Sequence, residues 1–236
     1  MATTHTNPDI PIIYEDEDLL IINKPVNVLS QADHTGDPDV LSLCKHYLSH
    51  KRNNRHSFYL GLLHRLDRPV GGLMMLAKNS KAAQKMSQQI NDRTVIKTYW
   101  AIVLGKPPAN GMLTHFLLKD RKTNTVKTVG PGNKNAKKAV LSYRTIQNSE
   151  NLSLLSIDLQ TGRSHQIRVQ FSAEGYPLYG DQKYGGKQVN QHQQIALRAT
   201  YLRFEHPRNH KEMEFKQLPE KAEPWSKFDM DKIELF

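Results

Sequence analysis

One short segment of the chain carries an acidic residue whose surroundings are suited to a catalytic role. The segment Gly61 to Lys78 places a single carboxylate, Asp67, in a turn between two apolar runs, and the charged residues nearest to it are all basic: His64, Arg65 and Arg68. Cationic neighbours favour the ionised form of a carboxylate. The same stretch is equally compatible with an aspartate that caps its own turn or pairs with Arg68, and by itself it does not decide between these readings.

Apolar runs on both sides predict strands that hold this turn. Leu60 to Leu63 precedes it and Leu73 to Ala77 follows it, with proline and glycine between them. The same patterns predict further strands at Ile10 to Tyr14, Leu19 to Asn23, Val95 to Leu104, Val140 to Ile146, Leu152 to Leu159, Gln194 to Phe204 and Glu212 to Phe215. Helices are predicted at Val40 to Leu48, from a cap at Asn79 or Ser80 to Asn91, and from a cap at Ser164 to a glycine stop at Gly175. Loops are predicted at Ser49 to Ser57 and Tyr176 to Gly186.

The charge balance points to a polyanionic partner. The 236 residues include 33 Lys and Arg against 23 Asp and Glu, a formal net charge of +10, which favours RNA, DNA or an anionic membrane surface. The chain shows no apolar run of membrane-spanning length, and its start lacks the order of a signal peptide, so we expect a cytoplasmic protein without a membrane partner. A single cysteine, Cys44, excludes an internal disulfide and a Cys-based zinc site, and it is expected in the core.

Two further segments carry candidate binding groups. Arg121 to Lys138 holds six basic residues and no acid, which predicts a mobile basic loop. It is either a solubilising insertion or a phosphate-contacting finger, and the absence of any acid favours the second reading. His46 and His50 are four residues apart and could share a metal ion, but no third ligand lies nearby, so a polar helix face is the better interpretation.

Three separated segments, HRLDRPVGGLMMLAK, KTYWAIV and LQTGRSHQIRVQFSAEGYPLYGDQKYGG, together resemble the RluA-type pseudouridine synthases. The resemblance begins at YEDEDLLIINKP and extends through IALRATYLRFEHP, so it covers nearly the whole chain. The ordered set of segments makes it specific, whereas the RLD triplet alone would carry no weight.

The resemblance implies a role for each matching residue. It implies that Asp67 is the catalytic aspartate, that Tyr99 stacks on the target base, that Arg168 pairs with the catalytic carboxylate, and that Arg65 enters the RNA stack. The RNA-binding residues that we predict are His64, Arg65, Arg68, Lys24, Lys97, Arg163, His165 and Arg198. No cofactor and no metal ion are implied.

These roles agree with the chemistry of the residue types. Breaking and remaking a glycosidic bond needs one positioned carboxylate, either as nucleophile on the nucleoside or as base on the sugar. A base buried in folded RNA must first be flipped out, and an aromatic face together with an inserted cation can offset that cost. Tyr99 supplies an aromatic ring and Arg65 a cation, so both residue types suit these roles.

The expected architecture is one α+β pseudouridine synthase catalytic domain spanning residues 1–236, with a mixed, largely antiparallel sheet flanked by helices and loops around an RNA-binding cleft. Residues 1–9 are expected to be flexible, and the tail 219–236 to dock through Trp225 and Phe228. No separate N-terminal RNA-binding domain, no obligate protein partner and a monomeric state are expected.

The expected function is isomerisation of specific uridines in ribosomal or transfer RNA. The alternative is an RNA-binding or RNA-chaperone protein with the same fold but no turnover, which would not need Asp67, Tyr99 and Arg168 together. A glycosidase or nuclease lacks support, because no second acid lies beside Asp67 in sequence and no metal-ligand cluster appears.

Three positions depart from the family's pattern. Val70-Gly71 stand where Thr-Ser is frequent, Asn27 stands where a glycine is usual, and Arg198 replaces a common histidine. Asparagine still allows a left-handed backbone at modest cost. These departures bear on substrate preference more than on chemistry.

Overall fold

The computed structural model describes residues 9–51, 59–186, 193–230 and 233. The strands are β1 (Ile12–Glu15), β2 (Leu19–Lys24), β3 (Gly61–Leu62), β4 (Gly71–Ala77), β5 (Ile96–Leu104), β6 (Asn110–Asp120), β7 (Thr125–Val129), β8 (Lys137–Ser149), β9 (Leu152–Leu159), β10 (Leu197–Glu205) and β11 (Glu212–Lys216). The helices are α1 (Val40–Lys51), α2 (Ser80–Asn91) and α3 (Gln166–Ala173). The pairs β1–β2, β2–β4, β3–β4, β5–β9, β6–β7, β6–β8, β8–β9 and β10–β11 are antiparallel, so the predicted α+β class with a largely antiparallel sheet is confirmed.

The chain folds as two compact units, for which the sequence carried no linker signal. The first unit comprises Met1–Val95 and Tyr201–Gln217, and the second comprises Ile96–Thr200 and Leu218–Phe236. Each unit draws on two separated parts of the chain, and strand β10 begins in the second unit and continues into the first. The single catalytic domain stays a prediction.

In the first unit, strand β2 pairs with both β1 and β4, and β3 adds two residues to β4. Alternate residues of β2 and β4 share one face, where Leu19, Ile21 and Met75 form a core with Met86 of α2. Helix α2 begins as predicted, since the Asn79 side chain caps it by accepting the Ala82 N–H at 2.9 Å. The unit therefore provides a packed base for the turn between β3 and β4.

The second unit is a five-stranded antiparallel sheet in the order β5-β9-β8-β6-β7. Helix α3 covers its β6–β7 end, where Val169 packs with Leu117 and Val126. The C-terminal tail docks as predicted, because Phe228 is buried beside Trp100, with Trp225 packed against the same cluster.

The prediction that Arg121 to Lys138 is a mobile loop without regular structure is wrong. Residues Thr125–Val129 form strand β7 and pair with β6, and β8 already begins at Lys137. Within the strand TVKTV, Val126 is buried and the following Lys127 is exposed. The basic residues belong to the exposed face and to the turns of a hairpin, and their charge concealed its short β-branched pattern.

Three predicted boundaries also need correction. Helix α1 continues through Ser49 to Lys51, so the predicted polar loop begins too early, and residues 52–58 lie outside the described part of the chain. Helix α3 is preceded by His165 rather than Ser164 at the N-cap position. The strand predicted from Leu60 consists of only Gly61–Leu62, and the predicted flexible start, residues 1–9, is described only at Asp9.

Two other local predictions, on Cys44 and on Asn27, are confirmed. Cys44 is fully buried in α1, and Asn27 takes a left-handed backbone with φ 63°. His46 and His50 face each other at 4.4 Å between ring centroids, and no group of three potential metal ligands occurs in the described segments. Within those same segments, no helix combines the length and the apolar content that crossing a membrane requires.

Candidate active site

The turn that carries Asp67 lies between β3 and β4 and is tightly closed. The Val70 N–H donates to the Asp67 carbonyl at 2.9 Å. On the other side of the acid, Ser30 Oγ donates to the Leu66 carbonyl at 2.7 Å and accepts the Leu66 N–H at 3.1 Å. Leu66 is buried, whereas Asp67 itself is half-buried. The backbone on both sides of the carboxylate is thus held, while its side chain keeps access to solvent.

A buried lysine, Lys24, also holds the backbone of this turn. Lys24, at 0% exposure, donates its ammonium hydrogens to the carbonyls of Pro25 at 2.9 Å, Arg68 at 3.1 Å and Val70 at 2.8 Å. Burial lowers the pKa of the Lys24 ammonium to about 7, while the nearby Asp67 carboxylate raises it. The prediction that Lys24 binds RNA is therefore not supported, because an ammonium with no exposed surface and three carbonyl partners cannot reach a phosphate.

The three basic residues next to Asp67 in sequence have different environments. His64 Nε2 accepts the Met75 N–H at 3.0 Å, which ties the turn to β4. Arg68 is exposed and contacts Asp37 at 2.7 Å and the Asn27 carbonyl at 3.2 Å. Arg65 is also exposed. Sequence adjacency suggested one basic cluster, whereas the structure gives two exposed arginines and a histidine that supports the backbone.

Helix α3 of the second unit carries Arg168 in a buried ion pair. The Arg168 guanidinium, at 6% exposure, donates from Nε to Asp181 Oδ2 at 2.8 Å and from Nη2 to Asp181 Oδ1 at 2.7 Å. The guanidinium carbon of Arg168, Cζ, also lies 5.2 Å from the centroid of the Tyr184 ring. Residues Gln166 to Phe171 of this helix are all buried, so Arg168 does not lie on a solvent-facing side.

Asp181 and Tyr184 surround Arg168, and no sequence pattern assigned a role to either residue. Asp181, at 1% exposure, also accepts the backbone N–H groups of Lys183 and Tyr184 at 3.0 and 3.1 Å. The Tyr184 hydroxyl contacts His165 Nδ1 at 2.6 Å and accepts the Val126 N–H at 2.9 Å. Both residues lie in the segment GDQKYGG, where the glycines indicated a loop but the acid and the aromatic ring went unassigned.

The remaining predicted residues of this unit differ in exposure. Tyr99, on β5, is 7% exposed. Burial lowers the pKa of the Lys97 ammonium and of the Arg198 guanidinium, and Glu220 partly opposes the second effect. Arg163 is exposed, and its Nε donates to the Lys138 carbonyl at 3.0 Å. Arg163 thus has a fixed, solvent-facing guanidinium, whereas Lys97 and Arg198 are partly withdrawn.

The two sets of groups define a class of protein. A carboxylate in a backbone-braced turn is suited to nucleophilic or general-base work, and a bidentate pair with a buried carboxylate holds an arginine in one orientation. Both are set on a mostly antiparallel α+β fold with a strongly basic charge. Each of these features by itself fits an enzyme that acts through a carboxylate on an anionic substrate.

The comparison with known protein families names this class. Residues 18–173 match the family model described as RNA pseudouridylate synthase, and the chain belongs to that family. It is 34% identical over 216 residues to the uncharacterized RNA pseudouridine synthase YlyB of Bacillus subtilis, covering 90% of this chain and 70% of the relative. It is 34% identical over 224 residues to the ribosomal large subunit pseudouridine synthase D of Vibrio cholerae, covering 88% and 67%.

Solved structures agree on the fold. The human RNA pseudouridylate synthase domain containing 4 superposes with a TM-score of 0.74 at 23% identity, covering 89% of this chain and 88% of that one. The human RNA pseudouridylate synthase domain containing 1 gives a TM-score of 0.72 at 23% identity, covering 94% and 87%. The protein is an RluA-type RNA pseudouridine synthase, an isomerase, and the alternative of an RNA-binding protein without turnover is not favoured.

Proposed function

We propose that this chain converts specific uridines of large-subunit ribosomal RNA into pseudouridine. The observation that carries the choice of RNA is the 34% identity to a relative named as a ribosomal large subunit pseudouridine synthase. A net charge of +10 supports binding to a large folded polyanion. Isomerisation cleaves the N-glycosidic bond, rotates the base and joins C5 of the base to the sugar.

Asp67 is the catalytic residue in this proposal. Its carboxylate acts on the nucleoside either as nucleophile or as base on the sugar, and Arg168 is its ionic partner. Tyr99 stacks on the target base. The support is that Asp67 lies in a turn whose backbone is held by Lys24 and Ser30, so the carboxylate starts from a defined position.

Arg65 takes the place of the flipped uridine in the RNA stack. Extruding a base costs about a few kcal/mol, and an inserted guanidinium can stack on the neighbouring bases and offset part of that cost. Arg65 is exposed, as an intercalating side chain must be. Further RNA contacts in the proposal come from His64, Arg68, Lys97, Arg163, His165 and Arg198.

The remaining expectations stay part of the proposal. The chain works as a monomer, without an obligate protein partner, without a cofactor and in the cytoplasm. The single buried cysteine is compatible with a reducing compartment. Size-exclusion chromatography with light scattering should give one chain per particle, and a stable dimer would contradict the monomer.

Replacing Asp67 by Asn tests the proposal directly. The change keeps the side-chain shape and removes the reactive carboxylate, so pseudouridine formation should fall by about 10³-fold or more. RNA affinity should stay within a few-fold, because the carboxylate contributes to chemistry rather than to charge attraction. Tritium release from ribosomal RNA labelled at C5 of uridine measures pseudouridine formation, and filter binding measures RNA affinity.

A matched variant controls for charge. Asp92→Asn makes the same charge change at the exposed C-terminus of α2 and should retain wild-type turnover. Turnover retained by Asp67→Asn would sink the catalytic assignment. Pseudouridine mapping of cells that lack the protein identifies the target, and a loss confined to transfer RNA would overturn the choice of ribosomal RNA.

A further inference from the structure

A groove in the second unit has the charge and size of a nucleotide-binding site, and of its cations the roles above use Arg163 alone. It has a volume of about 590 Å³ and lies between the β6–β7 hairpin, the start of β8 and the loop before α3. Cavities of roughly 300–1,000 Å³ hold small ligands. The groove is therefore large enough for one nucleotide of a longer chain.

Cations from separate segments converge on this groove. Lys119 comes from β6, Arg121 from the hairpin turn, Lys137 from β8 and Arg163 from the loop before α3. No carboxylate lines the groove, and among the residues that the structure describes no acid forms an ion pair with any of the four. Like charges gathered without a counter-ion favour binding of a phosphate.

One wall of the groove is rigid before any ligand arrives. The buried Gln166 side chain accepts the Arg163 N–H at 3.0 Å and the Thr161 hydroxyl at 2.8 Å, and it donates to the Val140 carbonyl at 3.1 Å. Arg163 is further held at the Lys138 carbonyl. A preformed wall lowers the conformational entropy lost on binding.

The floor of the groove is apolar. Leu117 and Val126 line it, and both are buried in the cluster under α3. A nucleotide presents a charged phosphate on one side and the flat faces of ribose and base on the other. The combination of a cationic rim and an apolar floor matches that amphipathic character.

A neighbouring cavity differs from the groove because an acidic residue lines it. It has a volume of about 540 Å³, shares Leu118 and Lys119 with the groove, and includes Asp120. Hydrogen bonds from the backbone of Lys122 and the side chain of Thr123 lower the pKa of the Asp120 carboxyl. An ionised carboxylate repels phosphate, and of the two cavities only the groove has a lining without one.

We propose that this groove binds a nucleotide of the substrate RNA other than the target uridine, with its phosphodiester against Lys119, Lys137 and Arg163. The inference rests on the proposed RNA substrate and extends it to a second contact point on the same RNA. The groove then contributes to affinity and to the choice of site, and not to the chemical step.

A double charge-neutralising variant tests the groove. Lys119→Gln combined with Lys137→Gln should weaken RNA binding about tenfold near 0.1 M salt and reduce the slope of log K against log salt by about 1 to 2. The single-turnover rate at saturating RNA should stay within about twofold, since the variant leaves Asp67 untouched. The measurements are filter binding over a salt series and rapid-quench tritium release.

The matched control removes the same charge elsewhere. Lys106 and Lys81 are exposed and lie outside the groove, so the double variant Lys106→Gln with Lys81→Gln should leave the slope within about 0.5 of wild type. Equal losses in the two double variants would overturn the proposal, because the effect would then come from net charge alone.

A second variant probes the groove without removing a cation. Gly162 lines it, and a Cβ built there meets no atom within 4 Å. Gly162→Asp should therefore fold normally, place a negative charge in the groove and weaken binding more than Asn151→Asp, which adds one charge at the exposed β8–β9 turn. Thermal unfolding confirms that both variants are folded.

The outcomes separate this proposal from the proposed function. If wild-type protein forms pseudouridine while the groove variants bind RNA as tightly as their controls, the groove proposal fails alone. If wild-type protein forms none while the groove variants still lose affinity and salt slope, the proposed function fails and the groove stands as an RNA site.

Discussion

The turn that carries Asp67 and the helix that carries Arg168 are held in opposite ways. In the turn, the buried charged residue is Lys24, which donates to backbone carbonyls and so supports the turn. The proposed catalytic residue, Asp67, stays half-exposed. In the helix, the proposed functional charge is itself buried, and a side-chain carboxylate, Asp181, holds it. One unit fixes a loop and leaves the acid accessible, and the other fixes the side chain directly.

The two kinds of support predict different responses of Asp67 and Arg168 to substitution of the residues that hold them. A substitution in the backbone support reaches Asp67 through the shape of the loop, whereas a substitution in the buried ion pair acts directly on the charged side chain that the pair holds. Losing one partner of a buried pair costs more than losing one donor to a carbonyl. Three substitutions, taken from the largest expected effect to the smallest, can break or sharpen this contrast.

Asp181→Ala should have the largest effect. It removes the carboxylate that pairs with the buried Arg168, and breaking a buried pair costs about 3 to 5 kcal/mol in the free energy of unfolding. Asp181→Asn keeps hydrogen-bond acceptance and should lose less. Urea denaturation measures both, and kcat should fall more than KM rises if Asp181 positions Arg168. A loss below about 1 kcal/mol in the Ala variant would contradict the contrast.

Lys24→Met should cost about 2 to 4 kcal/mol at pH 7, because the buried carbonyls of Pro25, Arg68 and Val70 lose their common donor. The lysine also makes stability depend on pH. Its pKa falls from 10.5 to about 7 on folding, so the unfolded chain binds more protons between these values. Wild-type stability should therefore rise relative to the Met variant, by about 2 kcal/mol from pH 7 to 9.

Unfolding measured in urea at pH 6, 7, 8 and 9 tests the Lys24 prediction. The gap between wild type and Lys24→Met should widen steadily above pH 7 and change little below it. A constant gap over this range would show that the Lys24 ammonium keeps its proton throughout, and that the pH dependence lies elsewhere.

Tyr184→Phe should have the smallest effect. It keeps the ring beside the Arg168 guanidinium and removes only the hydroxyl that contacts His165 and the Val126 N–H. A lost hydrogen bond of this kind costs about 1 kcal/mol. Thermal unfolding should show a small decrease, with turnover near wild type. A drop in turnover as large as that of Asp181→Ala would place the hydroxyl, and not the ion pair, in control of Arg168.

The sequence determined the elements whose patterns are local. Strand β5, helix α2 with its Asn79 cap, and the docking of Phe228 follow from apolar spacing and cap chemistry within a few residues. The ordered segments from Lys24-Pro25 to Arg168 also identified the family, since each segment carries residue types that recur in fixed order. Strand β7 was not predicted, because the basic residues around it hid its short run of β-branched residues.

Only the tertiary structure decided what surrounds the proposed functional groups. Lys24 looked like an RNA contact, and its burial depends on carbonyls that lie 44 and 46 residues away in sequence. Arg168 pairs with Asp181, which stands in a glycine-rich loop whose composition predicts no partner. The physical reason is the same in both cases: burial and pairing of a charge depend on contacts between distant segments, which no local pattern encodes.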